Sequence, residues 1–204
     1  MDTVRHVIGI LLVVAVPPAI LFWLLIHPWA TFWRRLGPVV TYSLAGIAYA
    51  VVALLLYGLR DTLLGRDLGT RWPLVACGGA LYALTVWLDA LCRKHLKTTA
   101  LLGAPEVSER AYPGHLFRDG IYGVVRHPRY VGVILGTLAL ALVANYVGVY
   151  LVLSVCLLGL YPVILLEERE LVHRFGRDYE EYRLQVPAMI PRLPRRRTPP
   201  RAGN

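Results

Sequence analysis

The chain has 204 residues, 56% of them hydrophobic, with a mean hydropathy of +0.52 and a formal net charge of +9. It is too apolar for an ordinary soluble domain of this length, and several apolar runs reach the ~20 residues that cross a bilayer. The charges stand in loops beside apolar runs rather than on a soluble face. That argues against nucleic-acid binding and for membrane orientation and attraction to anionic lipid headgroups.

The first apolar run, about residues 7–26, is too long for the ~7–15-residue core of a removable leader and lacks a small-residue cleavage site. It is predicted to be a membrane span, kinked or locally broken at Pro17-Pro18, neither of which can donate a helix hydrogen bond. A second span covers about residues 39–59 and a third about 73–91, followed at once by Arg93-Lys94. Asp89, four residues before Arg93, reads as an i,i+4 ion-pair partner. Cys77, Cys92 and Cys156 lie in or beside apolar runs. They have neither metal-ligand spacing nor a paired framework, so they read as small buried hydrophobes and no metal site is expected. A long polar connection, about residues 92–129, follows.

The last apolar block, residues 131–166, decides the topology. As one helix its 36 residues would measure about 54 Å, far beyond a ~30 Å hydrocarbon core. A hairpin turning near Ala144-Asn145-Tyr146 fits instead, with Asn145 as the turn residue. With five spans and the amino terminus outside, Arg5, Arg60, Arg66 and Arg71 face outward and the other 18 of the 22 Lys and Arg face the cytoplasm, as the positive-inside rule expects. Gly132 and Gly136 form a small-xxx-small pair suited to close helix packing. Residues 167–182 are charged and read as the second hairpin limb continuing into water, with Phe175, Tyr179 and Tyr182 on roughly one face. After Ile190 the basic, proline-rich tail has almost nothing to bury and is expected to be disordered. The predicted fold is therefore an all-α, polytopic membrane bundle of about five transmembrane helices, the last two forming a tight hairpin, with a cytosolic C-terminal helical segment.

That hairpin brings two charged clusters together. The first is Arg126-His127-Pro128-Arg129-Tyr130, the second Glu167-Glu168. Ionisable groups against membrane-length apolar runs cost roughly 2.5–3.5 kcal/mol each at a helix centre, a cost best tolerated where the charges face each other or a polar ligand. Pro128 fixes its own φ, pushes His127 out of the α region and is tolerated as the opening residue of the next helix. His6, His27, His95, His115 and His173 lack such company and read as structural or surface residues. Adjacent carboxylates on a helix point about 100° apart, so one of the glutamates meets a cation while the other meets arginine or solvent. A carboxylate, a guanidinium, an imidazole and tyrosine rings together suit an amino-acid zwitterion joined to a nucleoside.

The ordered set Gly120-Ile-Tyr122-Gly123-Val-Val-Arg126-His127-Pro128-Arg129-Tyr130-Val-Gly132, then Glu167-Glu168-Arg169-Glu170-Leu171, Phe175-Gly176, Tyr179, Tyr182 and Val186-Pro187-Ala-Met-Ile-Pro191 resembles the isoprenylcysteine carboxyl methyltransferase and phospholipid methyltransferase superfamily. The likeness covers roughly residues 116–191; the first three spans carry no comparable motif. It implies one integral membrane domain over residues 1–191, with three variable spans in 1–91, a cofactor-binding half in 92–191 and a basic tail in 192–204. It implies methyl transfer from S-adenosyl-L-methionine, on the cytosolic side, to a lipid-embedded or hydrophobic acceptor: an isoprenylcysteine-like carboxylate, a lipid amine, a thiol or an isoprenoid. Carried over by position, Arg126, His127, Tyr130, Gly132, Glu167 and Glu168 wall the cofactor pocket, with Tyr122, Tyr179 and Tyr182 beside them. Arg129 and Arg169 are the candidates for orienting an acceptor carboxylate or phosphate. Two other classes compete: a membrane reductase using NADPH, against which the short chain speaks, and a non-catalytic membrane protein whose basic tail binds anionic lipid.

Overall fold

A computed structural model describes residues 1–26, 28–94 and 115–192, without the side chains of residues 30 and 31. His27, His95, most of the connection expected at 92–129 and the basic tail beyond residue 192 lie outside the described residues. The helices are α1 (Asp2–Ile26), α2 (Ala30–Gly58), α3 (Arg60–Leu64), α4 (Trp72–Arg93), α5 (Pro128–Ala144), α6 (Val147–Phe175) and α7 (Arg177–Gln185), with a 3₁₀ turn at Gly120–Gly123 before α5. No β-strand forms among the described residues. Four helices, α1, α2, α4 and α6, are long and apolar enough to cross a membrane, and α5 is a shorter apolar helix, about 25 Å long at 1.5 Å per residue. The exposed apolar side chains of α2, Val39, Ile47 and Leu54 among them, suit contact with lipid.

The expected hairpin is present. Asn145 takes the left-handed conformation, φ 56°, at the end of α5; asparagine accepts that region more readily than most residues. Pro128 opens α5 and His127 caps it at φ −119°, ψ 57°, outside the α region, as the dipeptide's sterics require.

Three expectations about the helices need correction. Helix α1 runs unbroken through Pro17-Pro18. The carbonyl of Ala15, just before that pair, accepts a 3.0 Å hydrogen bond from the Tyr49 hydroxyl of α2. Helix α2 starts before residue 39 and bends at Gly37, φ 78° and ψ 163°, where the following Pro38 withdraws a donor. The Thr41 hydroxyl bridges the bend, donating to Gly37 O at 2.8 Å and reaching Trp33 O at 3.2 Å. The charged extension of α6 does not continue to Tyr182: Gly176, φ 54°, ends it and α7 folds back as a separate helix. Cys77 is a fourth correction. It is exposed on α4, whereas Cys92 and Cys156 are buried.

Helix α1 is the central post. Its first half packs Leu12 and Val13 against Ala141, Ala144, Tyr146, Val149 and Leu153 of the hairpin. Its second half places Ile20, Trp23 and Leu24 with Tyr130 and Ile134 of α5 and Leu160, Val163 and Ile164 of α6. Helix α4 packs on the outer side of α5. At the end near the α5–α6 turn, α3 lies on the first turn of α6 so closely that a Cβ on Gly148 would stand 1.7 Å from the Leu63 carbonyl.

The same end carries a buried arginine. Arg5, 1% exposed, donates to Asp2 at 3.1 Å, to Thr70 at 3.2 Å and to Asp67, and its guanidinium lies over the Tyr146 ring at 5.5 Å. Asp67 and Tyr146 form an isolated antiparallel bridge, and Asn145 Nδ2 donates to Gly69 O at 2.8 Å. The start of α1, the 65–71 loop and the hairpin turn are thus tied together.

Candidate functional site

The site lies at the opposite end, where α5 begins and α6 leaves its apolar portion. At 29 residues α6 is about 43 Å long, longer than a hydrocarbon core, so Glu167 and Glu168 stand at or beyond the membrane edge. Glu168 Oε1 accepts from Arg126 Nε at 3.1 Å, Arg126 Nη2 at 2.5 Å and His127 Nε2 at 3.0 Å. An ionised carboxylate only accepts, so the proton in the last bond is on His127 Nε2. Arg126 spends its remaining nitrogen, Nη1, on the carbonyls of Val186 at 2.5 Å and Arg183 at 3.0 Å. All three side chains are nearly inaccessible, at 9%, 4% and 13% for Arg126, His127 and Glu168. The Arg126 guanidinium is therefore committed to protein groups.

The backbone repeats the clamp. Arg126 N donates to Pro187 O and His127 N to Ala188 O, both at 2.9 Å, so the extended chain after α7 runs beside the turn before α5. Tyr182, buried, donates to the Tyr122 carbonyl at 2.6 Å, and Arg118 donates to Asp178 O at 2.7 Å. Tyr179, Tyr182 and Val186 form a small core with Leu116, Leu171, Val172 and Phe175, which is the expected aromatic face produced across the Gly176 bend. Burial pushes the Tyr182 hydroxyl up to about 12. Burial first, and the neighbouring Cys92 thiol second, push Tyr122 above the ordinary tyrosine range. For Tyr179, burial acts first and the Glu168 charge second. The three phenols stay neutral at physiological pH.

Glu167 differs from its neighbour. Its Oε2 is buried with no hydrogen-bond partner among the described residues, while its charge is close enough to act on Tyr122 and Tyr179. A buried carboxylate oxygen without a donor is costly, by about 1–3 kcal/mol or more for a charged group, and a cationic ligand removes that cost. Tyr130 lies beside the cluster, its ring centroid 5.6 Å from that of His127.

The structure brings together Arg126, His127, Tyr130, Glu168, Tyr122, Tyr179 and Tyr182, with Glu167 at their edge. Gly132 and Arg129 instead line a cleft between α4 and α5, along with Pro128, Asp89 and Cys92. Arg129 also stacks over Trp23 of α1, 5.9 Å from the ring centroid. Arg169 is exposed on α6. The expected Asp89–Arg93 pair is formed at 2.6 Å. Two contributors escaped the sequence reading. The carbonyls of 183 and 186–188 act through backbone atoms, which no side-chain motif reveals. Cys92, read as a hydrophobe, lies near the Tyr122 hydroxyl and acts on its charge. Among the described residues no cluster of metal-ligating side chains occurs.

An apolar helical bundle with a closed Arg–His–Glu network and a neighbouring acid at one end of its helices defines an integral membrane domain with a polar site at that end. The phospholipid methyltransferase family model matches residues 74–178, and the chain belongs to that family. The chain is 36% identical over 115 residues to the protein-S-isoprenylcysteine O-methyltransferase of Schizosaccharomyces pombe, covering 52% of this chain and 49% of that one. It is 38% identical over 88 residues to methanethiol S-methyltransferase 2 of Bradyrhizobium diazoefficiens, covering 42% and 33%. It is 38% identical over 79 residues to a cobalt-zinc-cadmium resistance protein of Cupriavidus metallidurans, covering 38% and 36%. The matched regions thus span about half of the first relative and about a third of the others. No solved structure matches the chain.

Proposed function

We propose that this chain is an S-adenosylmethionine-dependent methyltransferase of the membrane, acting on a hydrophobic acceptor. The observation that carries the reading is the orphaned, buried Glu167 oxygen beside a Glu168 already paired with Arg126 and hydrogen-bonded to His127. An acid in that state suits the ammonium or sulfonium of the donor, and the family membership and the methyltransferase names of two relatives support the chemistry. When bound, S-adenosylmethionine supplies a methyl group on a positively charged sulfur.

The roles of the chain's own residues follow from their bonding. Glu167 receives the positive charge. Tyr130 and Tyr122 offer ring faces and edges to the rest of the ligand. Arg126, His127 and Glu168 hold the opening of α5, the emerging end of α6 and the chain after α7 in fixed relation, so that donor and acceptor meet aligned, a contribution of several kcal/mol when achieved. The apolar surroundings keep water away, which strengthens the attraction between a cationic donor and an anionic nucleophile. The site and the carboxyl terminus face the cytoplasm in this proposal, because the described structure puts the charged ends of α4 and α6 on one side and the balance of Lys and Arg favours that side as internal.

The test is incubation of the full chain, in membranes, with S-adenosylmethionine labelled in its methyl group and a native lipid extract. Label is expected in an organic-soluble product, dependent on Glu167. No transfer to lipid, peptide or small thiol would defeat the proposal.

A further inference from the structure

Glu167 has a charged neighbour on each side of it round α6. At about 100° per residue, Glu168 stands about 100° to one side, and Glu170, nearly one turn further along, stands about 60° to the other. Glu168 is closed by Arg126. Glu170 is closed by Arg34 of α2, whose Nη2 donates to Glu170 Oε1. Residues three apart on a helix are surface neighbours. The unsatisfied acid is therefore flanked by two guanidinium-bearing walls, one from the turn before α5 and one from the first half of α2.

Arg34 reaches that position through the bend in α2. It precedes Gly37, whose φ of 78° and ψ of 163° turn the helix aside, a conformation open to glycine. No neighbour crowds the bend: a Cβ on Gly37 would meet nothing within 4 Å. The bend therefore serves direction rather than close packing. The redirected segment is fixed by Trp33, whose Nε1 donates to Leu25 O near the end of α1 at 3.0 Å, and by the Thr41 hydroxyl across the bend. The Arg34 and Glu170 side chains are 19% and 20% exposed. A largely desolvated ion pair is weak evidence of a stabilising role. What the bend secures is a guanidinium beside the site.

We propose that Arg34 binds the carboxylate at the amino-acid end of the methyl donor while Glu167 takes the neighbouring ammonium. The proposal rests on the methyltransferase reading. Arg126 cannot fill this role, since all three of its guanidinium nitrogens are bonded to Glu168 or to backbone carbonyls. Arg169 stands about 200° round α6 from Glu167. The Glu170 contact does not bar Arg34. A guanidinium holds two carboxylates through different nitrogens, as Arg5 does with Asp2 on Nη1 and Asp67 on Nη2. An acid and a guanidinium side by side complement both charges of a zwitterion. Arg34 comes from the half of the chain that carries no motif, so both halves complete the donor site.

The test is isothermal titration of the full chain in nanodiscs with S-adenosylmethionine and with its decarboxylated form, which keeps the sulfonium, the nucleoside and the ammonium. The wild type is expected to bind the carboxylate-bearing ligand about tenfold or more tightly than the other, and Arg34→Gln should abolish that preference. A merely structural role for Arg34 would weaken both ligands alike and leave their ratio unchanged. Binding of both ligands without a preference in the wild type, or with the preference retained in Arg34→Gln, overturns the Arg34 assignment alone. Failure of the wild type to bind either ligand overturns the methyltransferase reading and this inference with it. Should Arg34→Gln fail to fold, the double variant Arg34→Gln, Glu170→Gln, which leaves neither charge unpaired, decides by the same ratio.

Discussion

Each end of this bundle buries an arginine against carboxylates, and the two ends use it differently. At the α5–α6 turn, Arg5 is gripped by Asp2, Asp67 and Thr70 and covered by Tyr146; both acids are substantially exposed, at 85% and 45%. At the other end Arg126 and Glu168 are both buried, the guanidinium is also bonded to two carbonyls, and a second acid, Glu167, retains an unsatisfied oxygen. The first arrangement is a fastening: its acids can take water, and no anionic oxygen is left wanting inside. The second is a fastening beside an acid whose buried oxygen has no partner among the described residues. A buried ion pair by itself says little about function; what separates the two is the sign of the unsatisfied group, a donor (Arg5 Nε) at the first end and an acid oxygen (Glu167) at the second.

The largest expected effect comes from breaking the tighter clamp. Arg126→Ala leaves Glu168 and two backbone carbonyls without their side-chain donor, and should lower stability by roughly 3–5 kcal/mol, read as a fall in the unfolding temperature of detergent-solubilised protein. The matching removal of one exposed acid, Asp2→Ala, should cost under about 1 kcal/mol. Comparable losses would erase the distinction between the two ends.

A smaller effect tests the packing that sets the Arg5 end in register. Gly148→Ala places a methyl against the Leu63 carbonyl and should destabilise by roughly 1–3 kcal/mol as overpacking, whereas Gly46→Ala, with nothing within 4 Å, should be neutral or slightly stabilising as a helical glycine replaced by alanine. The unfolding temperatures of the two variants decide it.

The smallest effect is a pH dependence at Asp67. The Gly69 backbone N–H, at 2.8 Å, and then Arg5 hold this carboxyl below the ordinary value of 3.8. A depressed folded-state pKa gives stability that is present above the unfolded value and is lost as pH falls through the folded one. Acidification below pH 3.8 should therefore loosen the 65–71 loop, by under about 1 kcal/mol because the side chain is half exposed. Hydrogen exchange of the Leu68 and Gly69 amides should report it, and Asp67→Asn should remove the dependence.

Much of this architecture was legible in the sequence for identifiable reasons. The 36-residue apolar block was too long for one span, and Asn145 could adopt the left-handed turn that divides it. Pro128 announced both the start of α5 and the non-helical His127. What sequence spacing could not give was the meeting of residues far apart in the chain. Arg5 looked like an outward-facing loop charge because Asp67 and Thr70 lie some sixty positions away. Gly132, where a Cβ would meet nothing within 4 Å, looked like a packing glycine because periodicity registers that a residue is small but not whether a neighbour fills the space. The adjacent glutamates were recognised as divergent. Only their contacts separated the committed acid from the unsatisfied one.

The central claim is that Glu167, not Glu168, receives the donor's positive charge. Isothermal titration of the solubilised chain with S-adenosylmethionine measures this directly, comparing wild type with Glu167→Gln at unchanged unfolding temperature. Binding in the wild type and a loss of about tenfold or more in Glu167→Gln, the size of one charge-assisted hydrogen bond, is the predicted result. Equal affinity in the two proteins, or none in the wild type, would contradict the account.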